Sequence, residues 1–177
     1  MASPIGHVAF GAAAAIVVAR ATGTPDSVVL WTGAAVASLI PDFDVALPLL
    51  GFSERLHRNG SHSLLFAAAV IGAGVWAVPR LAPLPPPPAV MLAWIVALLS
   101  HDALDVVTTG PTLGKLGWGV PLFWPVSRRR FYVSRPLLVR DRDKSNGVGD
   151  LLREVWEDAV RIVPVCALIV VVGELWG

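Results

Sequence analysis

His57-Arg58-Asn59-Gly60-Ser61-His62-Ser63 is a polar heptad set between two apolar runs, and it holds two of the four histidines in the chain. The residues around it read as a bilayer protein. Of 177 residues, 55% are hydrophobic and only 15% are charged, and mean hydropathy is +0.66. A soluble domain carries about 25% charged residues, so this chain lacks the groups that keep a surface wet. The composition points to one membrane-embedded helical domain over residues 1–177. Its 14 Lys and Arg form no continuous basic stripe, so membrane lipids are the expected partners and nucleic acid is not. The single cysteine, Cys166, lies among Val165, Ala167 and Leu168; it excludes an intrachain disulfide and reads as a small core or lipid-facing residue.

Working outward from the heptad, Ser61 or Ser63 is placed to cap a helix that stays apolar to Val78. Upstream, the loop 41–60 opens with Pro41-Asp42-Phe43-Asp44 and follows a helix over about 26–40. Thr24 can cap that helix, with Pro25 at its first position, where a missing N–H costs nothing. The first helix covers roughly 5–20 and is rich in Ala and Gly, which suits close packing in lipid. Ile5–Ala19 also has the length of a signal h-region, with Ala19-Arg20-Ala21 at cleavage offsets. No Lys or Arg precedes it, so a retained helix is the preferred reading. Downstream, Pro79–Pro88 is a stiff connector. A fourth helix over about 89–108 carries Ser100-His101-Asp102-Ala103-Leu104-Asp105 in its last turns. A fifth begins near Val148, beyond the basic segment 109–150, and is continuously apolar from Ile162 to Val172. A span needs about 20 apolar residues; the last three helices approach that and the first two are short. The expected fold is an all-α integral membrane bundle of about four to five helices.

If all five cross, the N-terminus, the 41–60 loop and the 109–150 segment share one face. That face carries Arg55, Arg58, Lys115, Arg128, Arg129, Arg130, Arg135, Arg140, Arg142 and Lys144, against Arg20 and Arg80 on the other. The bias places the shared face in the cytoplasm. The protein is therefore expected as a multi-pass inner-membrane protein with a cytoplasmic N-terminus, and 109–150 as a cytoplasmic interfacial segment. Trp31, Trp76 and Trp176 then lie at the outer interface, and Trp118, Trp124 and Trp156 at the inner one, as an aromatic belt requires.

The same topology sorts the polar residues. His7 opens the first helix, Asp42 and Asp44 follow the second, His57 and His62 flank the start of the third, and His101 and Asp105 lie near the end of the fourth. Every histidine thus falls at a helix end on one face. His101 and Asp105 are one helical turn apart and reach the same side. Asp102 points about 100° away and is the leading spare carboxylate. Asp42 and Asp44, if extended, face the same way. Imidazole and carboxylate ligands suit a divalent ion, zinc or manganese first, and the number of donors leaves room for two ions, which together can hold a hydroxide nucleophile and clamp a phosphate oxygen.

Each residue has a plainer reading. A single His-x-x-x-Asp is commonly a helix-face hydrogen bond, His7 an interfacial histidine, Asp42 and Asp44 turn formers, and Ser61-His62-Ser63 an N-cap. The joint reading is preferred because ionisable groups at membrane depth are expensive and pair or do work. Arg58 reads equally as a phosphate ligand or as one more positive-inside arginine. Arg128-Arg129-Arg130, after the aromatic run 118–125, fits contact with anionic headgroups.

The chain resembles the bacterial and archaeal family of LexA-binding, inner-membrane-associated metal-dependent hydrolases. The carrying residues are His7, Pro41-Asp42-Phe43-Asp44, the heptad 57–63, Ser100-His101 through Asp105, Thr108-Thr109-Gly110 and Pro121-Leu122-Phe123-Trp124-Pro125. The resemblance spans most of residues 5–132. It departs from the family pattern at Asn59 and Ser61, where a Gly-like residue and a Thr are expected, and both histidines stay in place. The order His, Asp, His, His-x-x-x-Asp is also similar to that of zinc-dependent phospholipases C and related nucleases.

The resemblance implies metal-dependent hydrolysis, with a phospholipid or another membrane-associated phosphoester as substrate and metal-bound hydroxide as nucleophile. The expected ligands are His7, Asp42, Asp44, His57, His62, His101 and Asp105; Asp102 and Arg58 are the expected catalytic groups. One alternative is a non-catalytic adaptor that binds a cytosolic protein through 109–150, with a closed structural metal site. A transporter is disfavoured, because the outer halves of the third and fifth helices offer almost no polar groups.

Overall fold

A computed structural model describes residues 2–44, 60–110, 119–137 and 148–176. His57 and Arg58 lie outside the described residues, as do Arg55, Lys115, Trp118, Arg140, Arg142 and Lys144. The described residues form six helices: α1 Pro4–Thr22, α2 Val28–Leu39, α3 Leu64–Leu81, α4 Pro88–Thr108, α5 Val148–Arg161 and α6 Val163–Trp176. Among the described residues there is no strand, only a single antiparallel bridge between Val120 and Phe131.

The helix ends follow local chemistry. Ser3 caps α1, its Oγ accepting from the Gly6 N–H, with Pro4 at the first position. The helix stops at Gly23, whose φ of 62° is the left-handed conformation that glycine adopts without a Cβ penalty. Ser27, and not Thr24, caps α2 by accepting from the Leu30 N–H at 3.1 Å. Thr24 instead shares a hydrogen bond with Thr22 at 2.7 Å, so Pro25 falls in the turn. Ser63, rather than Ser61, caps α3 through the Phe66 N–H at 3.2 Å.

Two further expectations are corrected. Beyond α2 the chain does not become extended. Residues 40–44 form a 3₁₀ turn, and with three residues per turn Asp42 and Asp44 point in different directions. The C-terminal helix is not one continuous rod but α5 and α6, divided at Ile162. Pro164 has no N–H to return to residue 160, which weakens the ladder there. Ile162 N–H to Asp158 O (2.8 Å) and Cys166 N–H to Ile162 O (2.9 Å) still carry the chain across the junction.

α1 is central, packed against α2, α4 and α6, while α3 packs lightly, chiefly on α4. Where α1, α2 and α4 meet, the buried residues are small: Ala15, Ala19, Ala34, Ala37, Ala93 and Ala97, with Leu30 and Leu98. Small side chains let helix backbones approach closely where lipid supplies no hydrophobic drive. A second cluster, with Ala13, Leu104, Ile162 and Cys166, joins α6 to α1 and α4. Three helices are long and apolar enough to cross a membrane by length and composition: Pro4–Thr22, Leu64–Leu81 and Pro88–Thr108. α1 thus reaches spanning length, contrary to the reading of it as short, whereas α2 has 12 residues.

The segment 119–137 clips the helix ends together. Val120 and Phe131 exchange backbone hydrogen bonds at 2.9 Å, Val133 N–H reaches Thr109 O, Leu137 N–H reaches Val107 O, and Leu64 N–H reaches Leu122 O. The backbone at Gly119 has a φ of 136°, and a Cβ there would meet Arg130 Cβ at 2.9 Å, so only glycine fits this corner without strain. The start of α3 and the end of α4 are thereby held together at one end of the bundle.

Candidate metal centre

His7 sits one turn into α1, Asp42 in the 3₁₀ turn after α2, His62 just before α3, and His101 and Asp105 on consecutive turns of α4. The structure brings these five together. His7, His62, His101 and Asp105 are buried to within 1% of complete, and Asp102 to 3%. His62 Nε2 lies 3.3 Å from His101 Nε2, 3.4 Å from Asp105 Oδ2 and 3.5 Å from Asp42 Oδ1. His101 Nε2 lies 3.7 Å from both Asp42 Oδ1 and Asp105 Oδ2. His7 Nε2 approaches the other carboxylate oxygen, Asp105 Oδ1, at 3.4 Å. Its ring stacks on His101 with centroids 3.7 Å apart.

The outward nitrogens set the tautomers. His101 Nδ1 is 2.7 Å from the Ser38 carbonyl; a carbonyl only accepts, so Nδ1 carries the proton and Nε2 presents a lone pair to the cluster. His62 Nδ1 lies 3.0 Å from Ser61 Oγ, and Ser61 Oγ donates to Asp44 Oδ2 at 2.5 Å. The Asp44–Ser61–His62 chain therefore orients His62 from behind, the arrangement that outer partners give metal-ligating histidines. The structure places Asp44 in that supporting chain and not beside Asp42.

In the metal-free protein, burial alone would push the His62 imidazole down. The carboxylates of Asp105 and Asp42, 3.4 and 3.5 Å from its Nε2, outweigh it and carry the pKa up to about 10. Burial likewise works to raise Asp42, and its bond to His62 with the charges of His101 and His7 brings it below the ordinary carboxylate value. Even so, Asp105 Oδ1 and Oδ2, Asp102 Oδ1 and His7 Nδ1 are buried with no hydrogen-bond partner. A carboxylate so situated needs a cation.

Two groups have ligand atoms mutually close enough to hold a metal ion: Asp42, His62 and His101, and His7, His101 and Asp105. A divalent ion with tetrahedral bonds of about 2.0–2.1 Å has ligand atoms roughly 3.3–3.4 Å apart. The five contacts among Asp42, His62, His101 and Asp105, from 3.3 to 3.7 Å, come close to that edge length. The residues fit such an ion.

Comparison with known proteins matches the family described as YdjM inner membrane protein over residues 1–175. The chain belongs to that family. Membership agrees with the three helices of spanning length and places the protein among inner-membrane proteins. Searches of curated proteins and of solved structures return no match.

One supporting residue is invisible to sequence reading. Asp158 of α5 is 2% exposed and accepts from the Ser3 N–H at 2.8 Å and from Ser3 Oγ. It anchors the first turn of α1, one turn ahead of His7, whose N–H bonds Ser3 O at 3.1 Å. No spacing links residues 155 positions apart. The amphipathic pattern of α5 was the only available hint that one of its acids turns inward.

Proposed function

We propose that this protein holds one divalent transition ion, zinc first, through Asp42, His62, His101 and Asp105, and hydrolyses a phosphoester at the inner face of the membrane. The observation that carries the reading is that the His62 and His101 Nε2 atoms lie 3.3 Å apart and each within 3.4–3.7 Å of an Asp42 and an Asp105 oxygen, at the end of apolar spans. One ion is preferred over two because the two candidate groups share His101, and Ser38 already holds its Nδ1. His7 then steadies the free oxygen of Asp105. With four protein ligands the site would have to expand to admit water or substrate, and an ion held there would then supply Lewis-acid chemistry to a phosphoester.

The protein's own groups supply the rest. Asp102, buried next to the ligand His101 with an unpartnered oxygen, is the group assigned to take a proton. Arg58, four positions before His62 in the sequence and outside the described residues, is assigned to the substrate phosphate. Orientation follows from charge. Arg20 and Arg80 mark the end of the bundle away from the site, and Arg128, Arg129, Arg130 and Arg135 belong to the segment that clips the site end, which supports a cytoplasmic site.

The test is metal content of the purified protein beside His62→Ala and His101→Ala, followed by hydrolysis of a phosphodiester by the metal-loaded wild type. Metal in the wild type and loss in both variants supports the site. Near-zero metal in all three refutes it, and metal without hydrolysis refutes the enzyme reading alone.

A further inference from the structure

α3 has the hydropathy of a span, yet Ala67 is its only buried residue. It stands away from the bundle and leaves a groove of about 230 Å³ against α2 and α4. Gly33, Val70, Gly74, Val78 and Trp94 line it, and no charged side chain does. The one polar atom of Trp94 is spent inside the protein, its Nε1–H donating to Leu30 O at 3.1 Å. Ile40 belongs to this groove and also to a second cavity, of about 510 Å³, at the site end. That cavity is walled by Phe66 and Trp124 but also by Asp44, Ser61 and Ser63, the first two being the groups that support His62. The two spaces together follow α3 from Ser63 to Val78, about 22 Å at 1.5 Å per residue. One leaflet of the hydrocarbon core is about 15 Å deep.

We infer that this slot receives an acyl chain of a membrane lipid whose polar end lies in the cavity beside Asp44, Ser61 and Ser63. Three observations select that occupant. The flanking helices α3 and α4 are of spanning length, so the groove opens onto hydrocarbon. Its lining offers water no partner, which an apolar cavity of this kind does not retain. And its apolar length ends at a cavity whose largely apolar wall adds Asp44, Ser61 and Ser63, so the occupant is apolar along its length and polar at one end. The identification of the lipid as substrate rests on the hydrolase reading above; occupancy of the groove does not.

Two glycines give a clean test. A Cβ at either Gly74 or Gly72 meets nothing within 4 Å, but Gly74 lines the groove and Gly72 is exposed and does not. Gly74→Leu fills the slot, whereas Gly72→Leu makes the same change in helix propensity outside it. The full chain is reconstituted into phosphatidylethanolamine/phosphatidylglycerol vesicles containing a phospholipid with a diazirine near its acyl terminus, then photolysed and mapped by mass spectrometry. Adducts are expected to concentrate on Met91 and Trp94 and the facing turns of α3. They should fall several-fold in Gly74→Leu, stay at the wild-type level in Gly72→Leu, and be equal in metal-loaded and metal-stripped protein. Equal labelling in Gly74→Leu overturns the inference. So does loss of chain-to-chain cross-linking in Gly74→Leu with lipid adducts unchanged, which would make the groove a contact between copies. Groove labelling in a wild type that takes up no metal, or that hydrolyses no phosphodiester when metal-loaded, refutes the hydrolase reading and leaves the lipid slot standing.

Discussion

Asp105→Asn is the sharpest perturbation of the cluster. The change keeps shape and removes one charge from a side chain that is 0% exposed and faces His7, His62 and His101. Structural zinc sites bind with about 10–16 kcal/mol. Divided over four ligands, that is roughly 3–4 kcal/mol each, or two to three decades in affinity at 1.4 kcal/mol per decade. An amide oxygen remains a weak ligand, so the expected loss is about 10²–10³-fold in metal affinity. The assay is competition for zinc against a calibrated chelator, with circular dichroism to show that the helices persist. A dissociation constant within a few-fold of wild type, in a folded variant, would refute the assignment of Asp105 as a ligand. Asp44→Asn acts only behind Ser61 and His62, where outer-partner changes cost about 10–100-fold. The order Asp105 above Asp44 is thus itself a prediction.

The remaining predictions follow from the same geometry. With its pKa at about 10, His62 must lose a proton when metal binds, so metal affinity rises with pH, about tenfold per unit below that value. In the metal-free protein the raised His62 contributes stability that is full below its ordinary 6.5 and lost as pH rises through about 10. The lowered Asp42 contributes stability that is lost only as pH falls through its depressed value. Thermal unfolding of metal-stripped protein between pH 6 and 11 checks the sign for His62. Gly11→Ala puts a Cβ 2.5 Å from Ser38 Cβ; overpacking of roughly 1–3 kcal/mol, less about 1 kcal/mol of helix propensity, leaves a net loss of up to about 2 kcal/mol. Because Ser38 O holds His101 Nδ1, metal affinity should fall with it, and unaltered zinc binding would separate packing from the site. Asp158→Ala strips two hydrogen bonds from buried Ser3 and should cost about 2–3 kcal/mol in unfolding. A rise or no change in melting temperature would show that α5 does not anchor α1.

The sequence made the site legible through topology rather than through any motif. Runs of apolar residues that alternate in direction put His7, Asp42, His62, His101 and Asp105 at one end of the bundle before any contact is known. What escaped depends on groups that carry no sequence signal. Whether Asp44 joins Asp42 turns on the conformation after Pro41, and extended chain and 3₁₀ turn are equally open to Pro-Asp-Phe-Asp until Ser61 arrives to bind Asp44. The hydrogen bond that sets the His101 tautomer is to a backbone carbonyl, which every residue has. The looseness of α3 was hidden too, since its composition is that of any span; only its packing against α4 distinguishes it.

The arrangement of small residues and the polar cluster have one physical cause. Six ionisable groups, Asp42, Asp102, Asp105, His7, His62 and His101, are drawn from several elements into a space where they are nearly all sealed from solvent. Bringing five of them, all but Asp102, within 4 Å of a neighbour requires close backbones, and Ala15, Ala34, Ala93 and Ala97 permit that at the α1–α2–α4 crossing. Once sealed, the three carboxylates repel one another, and a protonated His62 offsets only part of their charge. The unpartnered oxygens of Asp105 and Asp102 are the residue of that imbalance, and desolvated charge of this kind costs several kcal/mol per ion when uncompensated. A divalent cation among them removes the repulsion and fills the open coordination at once. It therefore binds the folded chain far better than the unfolded one, and stability rises with free metal as RT ln(1 + [L]/Kd). The cluster is on this account a strained arrangement in the absence of metal. A melting temperature that climbs with added zinc in the wild type, and stays flat in Asp105→Asn, is the behaviour that such a balance of charges demands.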